Sequence, residues 1–459
     1  WTMIPHLREW TSRSLKAVSL AELRWLRLQA LAETFAGGQG APDGILRLVW
    51  RFLDDTGILV VALPWGACFV DAATCSETRH LPPIHAANVS CVRFSASDLD
   101  VAIGTENGFR VAHAWHGRGL APQLDTHTNN NNDSNNNKNN NDHNNNDNNN
   151  SNNDNNNIVP ATAGDHIRSV AWSPCGRLIA AAGYRGHLYV IEASSGRVQL
   201  EVPHGNVIRM VAWSPDGSQI ATVGAEGKLR VVDVGRGIVL QVVQLSSEAA
   251  LCVDWAPCGT KVATGSDDYV LRVVGVATGS VELEVRTGGW VDFALWSPTG
   301  ATIAVASDDN KLRFISLLNN SSSNNNNSYS NNNNICGTVA HSGRLRRIAW
   351  SPRGDLVATV CDDRCLRVCE GESSPRTITT TAATATATTA TAATTATLGR
   401  IVSESWQESA LVALAWSPSG RKVAIGSEGG SVHIVDARSG LPEAGCDFLA
   451  PVTDLAWGA

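Results

Sequence analysis

The sequence predicts an all-β protein, a β-propeller of seven or eight four-stranded blades with a short N-terminal helical segment. The main observation is a repeat. Trp-Ser-Pro-x-Gly begins at Trp172, Trp213, Trp296, Trp350 and Trp416, and Trp255-Ala256-Pro257-Cys258-Gly259 is a near copy. The spacing is a second observation. Trp172, Trp213, Trp255 and Trp296 lie 41, 42 and 41 residues apart, and Trp416 and Trp457 again 41. A period in this range, with β-rich sequence between the anchors, is the mark of stacked propeller blades.

Each unit follows one order. In the unit anchored at Trp213, a first strand Ile208-Arg209-Met210-Val211-Ala212-Trp213 ends in the Ser-Pro-x-Gly turn. Pro and Gly supply the fixed and the permissive backbone angles of a tight turn. An apolar second strand follows at 219–223, then a polar turn at 224–227. The third strand reads Leu229-Arg230-Val231-Val232-Asp233 and the fourth Val239-Leu240-Gln241-Val242-Val243. Short runs rich in β-branched residues between turn signals read as strands. Weaker units are anchored at Phe94 and Phe52. The anchors at 52, 94, 172, 213, 255, 296, 350 and 416 make eight units. Trp457 opens a ninth that stops, so the array reads as cut short at its C-terminus. The propeller domain is placed at 45–459.

Three low-complexity tracts interrupt the period: Asn-rich 129–157, Asn/Ser-rich 319–334 and Thr/Ala-rich 377–397. Without its tract, the interval from Trp350 to Trp416 shortens from 66 to 45 residues. Such tracts have no apolar surface to bury, and disorder is their expected state. Each falls after the third strand of its unit and before the fourth. Connections in a propeller alternate between two faces, so all three tracts should leave from one face. The other face is then clear.

Residues 1–40 form a separate segment. Ser19 and Glu22 fit a capping box. Ala21, Trp25, Leu28, Ala32 and Phe35 fall on one helical stripe, ended by Gly37, Gly38 and Gly40. This helix would pack on the propeller edge or an upstream domain, or dock a partner.

Composition excludes several classes. A net charge of −7 with 17% charged residues lacks the basic footprint of a nucleic-acid binder. The 11 Cys form no secreted disulfide framework, which implies reduced thiols in the cytoplasm, with the nucleus also open. The sequons at Asn88 and Asn320 are then chance matches. The most apolar stretch, 57–70, is interrupted by Pro64 and is too short to span a bilayer.

The repeats resemble those of the WD-repeat β-propellers. That family carries a His before the first strand, an Asp in the turn after the second, and Trp-Asp ending the third. His166, His204 and His341 match the first feature, and Asp268, Asp309 and Asp363 the second. Trp-Asp itself is missing. The corresponding ends read Ile191-Glu192, Val232-Asp233, Val274-Gly275 and Val435-Asp436. The resemblance therefore implies a hydrogen-bond network incomplete in every blade, with more weight on the first-strand Trp and on packing between blades. The Phe-Arg-Arg-Gly motif of phosphoinositide-binding propellers is absent.

No phosphate-binding loop, nucleophile elbow or His-Glu-x-x-His helix is present, so no catalytic residue, metal ligand or cofactor is assigned. The His residues before first strands, including His85, recur with the period and read as structural. Cys361, Cys365 and Cys369 fall along a hairpin rather than on one helix face, which disfavours a metal site. Arg110, Arg230, Arg272, Arg313 and Arg367 recur in third strands. They could ring a polyanion, but the shared position suits pairing with acidic turns. The structural anchors are Trp172, Trp213, Trp255, Trp296, Trp350, Trp416 and Trp457.

The clear face carries residues that vary from blade to blade: His166, Arg168, Asn206, Arg209, Trp290, Asp292, Arg344 and Arg346. Trp beside Arg has the composition of an interface hot spot, although Trp290 also fits a buried blade position. Arg344, Arg346 and Arg347 read as a local basic patch. The expected function is a non-catalytic scaffold binding a protein or peptide on this face, as part of a larger complex. The alternatives are a propeller that binds an anionic, phosphoinositide-type ligand, or a propeller enzyme.

Overall fold

The computed structural model describes residues 57–64, 66–75, 77–80, 88–95, 100–113, 164–317, 334–372 and 398–458. The N-terminal helical segment, the anchor at Phe52, His85 and nearly all of the three tracts lie outside the described residues. So do residues 96–99, after the Phe94 anchor.

Every described element is a strand, and the strands pair into eight antiparallel sheets. Seven sheets are four-stranded; the one built from Val89–Phe94, Asp100–Thr105 and Gly108–His113 shows three strands among the described residues. Blades are numbered here from the sheet that contains Ile58–Leu63. The first strands of successive blades touch one another around a complete ring, so they enclose the propeller axis. Apolar side chains of adjacent blades fill the space between sheets, as where Val231 and Val253 share one cluster or Phe314 and Ile348 another.

The count resolves to eight blades, and the reason lies at the C-terminus. Blade 1 takes its second to fourth strands from Ile58–Leu63, Gly66–Asp71 and Glu77–His80. Its first strand is Asp454–Gly458, paired antiparallel from Ile58↔Gly458 to Ala62↔Asp454. Trp457 therefore opens no ninth unit. It completes the first blade and closes the ring. Gly57 makes the junction possible, since a Cβ there would lie 2.0 Å from the Gly458 carbonyl oxygen.

The anchor motif works as a joint between blades. The indole N–H of Trp172, Trp213, Trp255, Trp350 and Trp416 donates to a main-chain carbonyl one blade back: Arg93, Ala171, Ala212, Leu295 and Ala349, at 2.9–3.0 Å. The Ser hydroxyl accepts the amide five residues on, as Ser214 does from Gln219 at 2.9 Å. The Gly holds positive φ, 72° at Gly217. It also faces the proline of the preceding blade, so a Cβ at Gly354 would sit 3.2 Å from Pro298.

The insert-bearing connections leave where the sequence places them. Two join the third and fourth strands of blades 6 and 7, between Lys311–Ser316 and Ile335–Ala340 and between Cys365–Glu370 and Ile401–Trp406. The third follows the third strand of blade 2. Antiparallel order puts these on the same face as the Ser-Pro turns. Asn334, the last residue of its tract, is buried and donates to the Ser316 carbonyl at 3.1 Å.

Candidate functional site

The opposite face is built from the connections into first strands and the turns between second and third strands. A β-bulge shapes it. In blades 2 to 8 the pairing of first and second strands slips after the first residue, which leaves the second residue unpaired. A bulge bends its strand and re-aims one side chain. The bulge residues are Ser90, Arg168, Arg209, Leu251, Asp292, Arg346 and Val412. Four of the sequence-derived candidates thus occupy one equivalent position around the channel mouth, and they differ because nothing in the ladder constrains them.

Trp290, Asp292, Arg344 and Arg346 come together across blades 6 and 7. Trp290 is 41% exposed, which decides between the two readings of that residue in favour of a surface position. Arg344 reaches both oxygens of Asp292 at 3.0 Å and Asp308 at 3.1 Å. Arg346 bonds Asp362 at 2.5 Å and lies 3.8 Å from Glu428 of blade 8. Burial pushes the Asp292 carboxyl above its ordinary range, against the pull of Arg344.

His166, Arg168, Asn206 and Arg209 form a second sector on blades 3 and 4. The His166 ring stacks on Tyr184 at 4.7 Å, and Arg168 reaches the Tyr184 hydroxyl at 3.3 Å. The Asn206 side chain accepts the Val207 amide at 2.8 Å. Burial raises the Asp267 carboxyl of blade 5, with Arg209 opposing and Glu248 adding to the rise. Asp267 and Asp308 in turn raise Asp292. The two sectors are therefore ends of one charged arc running from blade 3 to blade 8.

Two expectations change. The basic patch is not one: Asp292, Asp308, Asp362 and Glu428 surround Arg344 and Arg346, and Arg347 turns away over the Phe293 ring at 5.6 Å. His166 is also out of register with the other two histidines. It sits one residue before its first strand, whereas His204 and His341 sit four before theirs.

His204 and His341 bond the hydroxyls of Thr222 and Thr359 at 2.7 and 2.9 Å. Burial pushes both imidazoles down to about 4. The network lacks its Trp, but these His-Thr bonds are in place, and a second element stands beside them. Third-strand arginines pair with the turn carboxylate four residues back. Arg272 bonds Asp268 at 2.6 Å and Glu284 at 2.9 Å, and Arg367 bonds Asp363 at 2.7 Å and Glu404 at 2.9 Å. Arg313 pairs with Asp309, and Arg230 with Glu226 at 2.6 Å. Arg272, Arg313 and Arg367 are at most 8% exposed, so they offer no ring to a polyanion. Cys361, Cys365 and Cys369 are buried in their hairpin, with thiols pushed up to about 12, 11 and 12 chiefly by burial. They stay protonated at neutral pH.

The sequence reading missed Tyr184, Asp267, Asp308, Asp362 and Glu428. A signal for them existed, because each lies 12 residues after its anchor Trp. The next residue, which carries Asp268, Asp309 and Asp363, was read instead as the structural turn position.

A closed eight-bladed propeller with a variable charged face belongs to the class of rigid platforms whose loops set what they bind. The model of the WD domain, G-beta repeat, matches residues 158–192, 334–370 and 402–436. The model of the Anaphase-promoting complex subunit 4 WD40 domain matches residues 199–258. The chain belongs to the WD-repeat β-propeller family. Propellers of this family generally serve as protein-interaction scaffolds. No curated protein matches the chain in sequence.

Proposed function

We propose that this protein is a non-catalytic scaffold that captures a protein or peptide on the insert-free face, through the arc from His166 and Arg168 by way of Asn206, Arg209, Trp290 and Asp292 to Arg344 and Arg346. The observation that carries the reading is Trp290. It is a large aromatic left 41% exposed beside the Asp292–Arg344–Asp308 pairing. Anchors of this kind, ringed by polar groups, dominate binding energy at interfaces. The likeness of residues 199–258 to a domain of an anaphase-promoting complex subunit supports a place in a multi-subunit assembly. The 11 free cysteines suit a reducing, cytoplasmic compartment.

Replacing Trp290 and Arg346 together with Ala tests the site. Affinity capture with the wild-type chain, read by mass spectrometry, defines the partner. The double variant is expected to lose that partner while its melting temperature stays within a few degrees of wild type, because neither side chain fills the core. Unchanged capture would place the interface elsewhere.

A further inference from the structure

The channel enclosed by the first strands widens, in its half toward the Ser-Pro turns, into a cavity of about 550 Å³ walled by blades 7, 8, 1, 2 and 3. Two arginines line it, Arg93 from blade 2 and Arg347 from blade 7. Neither belongs to the repeat. The residue before the anchor aromatic is Arg93 in blade 2 but Ala171, Ala212, Ala349, Ala415 and Ala456 in five other blades. Three residues before the anchor, Arg347 replaces Ser169, Met210, Phe293 and Ala413. The wall between them is largely apolar, with Trp172, Ile348, Leu414 and Leu455.

Cations in a partly apolar enclosure are costly unless anions compensate them. Only one is compensated. Arg93 donates to Asp454 at 2.6 Å and to the Val92 carbonyl at 2.6 Å, yet its side chain remains 46% exposed to the channel. Asp454 is buried, and the same Oδ2 also accepts the Val92 amide at 3.1 Å. Arg347 lies over Phe293 and donates to the Arg346 carbonyl at 3.1 Å. It makes no ion pair among the described residues. Two guanidinium groups against one carboxylate leave the cavity one positive charge in excess.

We propose that this cavity binds an amphiphilic oxyanion. Its carboxylate or phosphate group is held by Arg347 and the free edge of Arg93, and its apolar body lies against Trp172, Ile348 and Leu414. Guanidinium matches the planar, two-oxygen edge of such anions. The site lies in the half of the channel toward the insert-bearing face, away from the proposed partner face.

Phenyl phosphate is the probe, and isothermal titration of the full chain is the measurement. One site per chain with a dissociation constant of about 1 mM or tighter is expected, with no binding of uncharged benzyl alcohol. Arg347→Gln weakens binding about tenfold or more. Arg236→Gln, in an exposed turn of blade 4, leaves it unchanged. Should Arg347→Gln fail to fold, Arg93→Lys serves instead. It keeps the charge beside Asp454, loses the planar fork and weakens binding several-fold. Benzoate in place of phenyl phosphate tells a carboxylate preference from a phosphate one. No saturable phenyl phosphate binding up to about 10 mM overturns the assignment. So does binding that neither Arg347→Gln nor Arg93→Lys weakens, or that Arg236→Gln weakens as much.

Discussion

In blades 2 to 8 a single unpaired residue determines what the channel mouth displays on the insert-free face. The bulge after the first residue of these first strands frees that side chain from the ladder, so Arg168, Arg209, Asp292 and Arg346 could diverge while Trp213 or Trp296 could not. Burial acts in the opposite sense on His204 and His341. Their imidazoles titrate near 4 in the fold, against about 6.5 in an unfolded chain. The unfolded state therefore takes up protons first as the pH falls. Stability is intact above about 6.5 and is lost as the pH drops toward 4. Glu226 beside His204, and Asp363 and Arg367 beside His341, stay charged through most of this window, because both carboxyls sit below their ordinary range and the guanidinium above its own. A His204→Gln/His341→Gln variant should show a shallower fall in melting temperature between pH 7 and 4.5 than the wild type. Parallel curves would mean that these histidines do not report the acid sensitivity of the fold.

At the level of the element, the anchor motif ties blades 4, 5, 7 and 8 to the preceding blade through an indole N–H and a Pro-Gly contact, and blade 3 through the indole N–H. Trp296 departs from this pattern. Its indole nitrogen has no partner, and the Asp254 carboxylate takes its main-chain amide at 2.7 Å. Trp416→Phe breaks a 3.0 Å bond to Ala349, whereas Trp296→Phe removes none. Urea unfolding should find the Trp416 variant less stable than the Trp296 variant by about 1 kcal/mol. Equal losses would show that the inter-blade bond adds nothing beyond packing. The repeat and its turns were legible in the sequence because period and turn chemistry are local. The pairing of Asp454–Gly458 with Ile58–Leu63 was not, since nothing near either segment names a partner from the other end of the chain. The bulge also escaped detection, because it changes register without changing composition. Four of the five missed face residues are acidic, and they were hidden by a neighbouring Asp or Gly at the structural turn position.

Over the whole molecule, the closed ring separates two faces of different make-up. One carries the Ser-Pro turns, the insert-bearing connections and the open end of the channel cavity. The other carries the charged arc and its exposed Trp290. A rigid ring holds side chains from blades 3 to 8 in fixed relation, which an extended or multi-point partner can use and a flexible loop cluster could not. Hydrogen exchange on the purified complex with the captured partner tests this division most directly. Protection is expected at the bulges and second-to-third-strand turns of blades 3 to 8, around Arg168, Arg209, Asp292, Asp308, Arg346 and Asp362, with unchanged exchange at the Ser-Pro turns. Protection confined to the Ser-Pro turns or to the outermost strands would contradict this division.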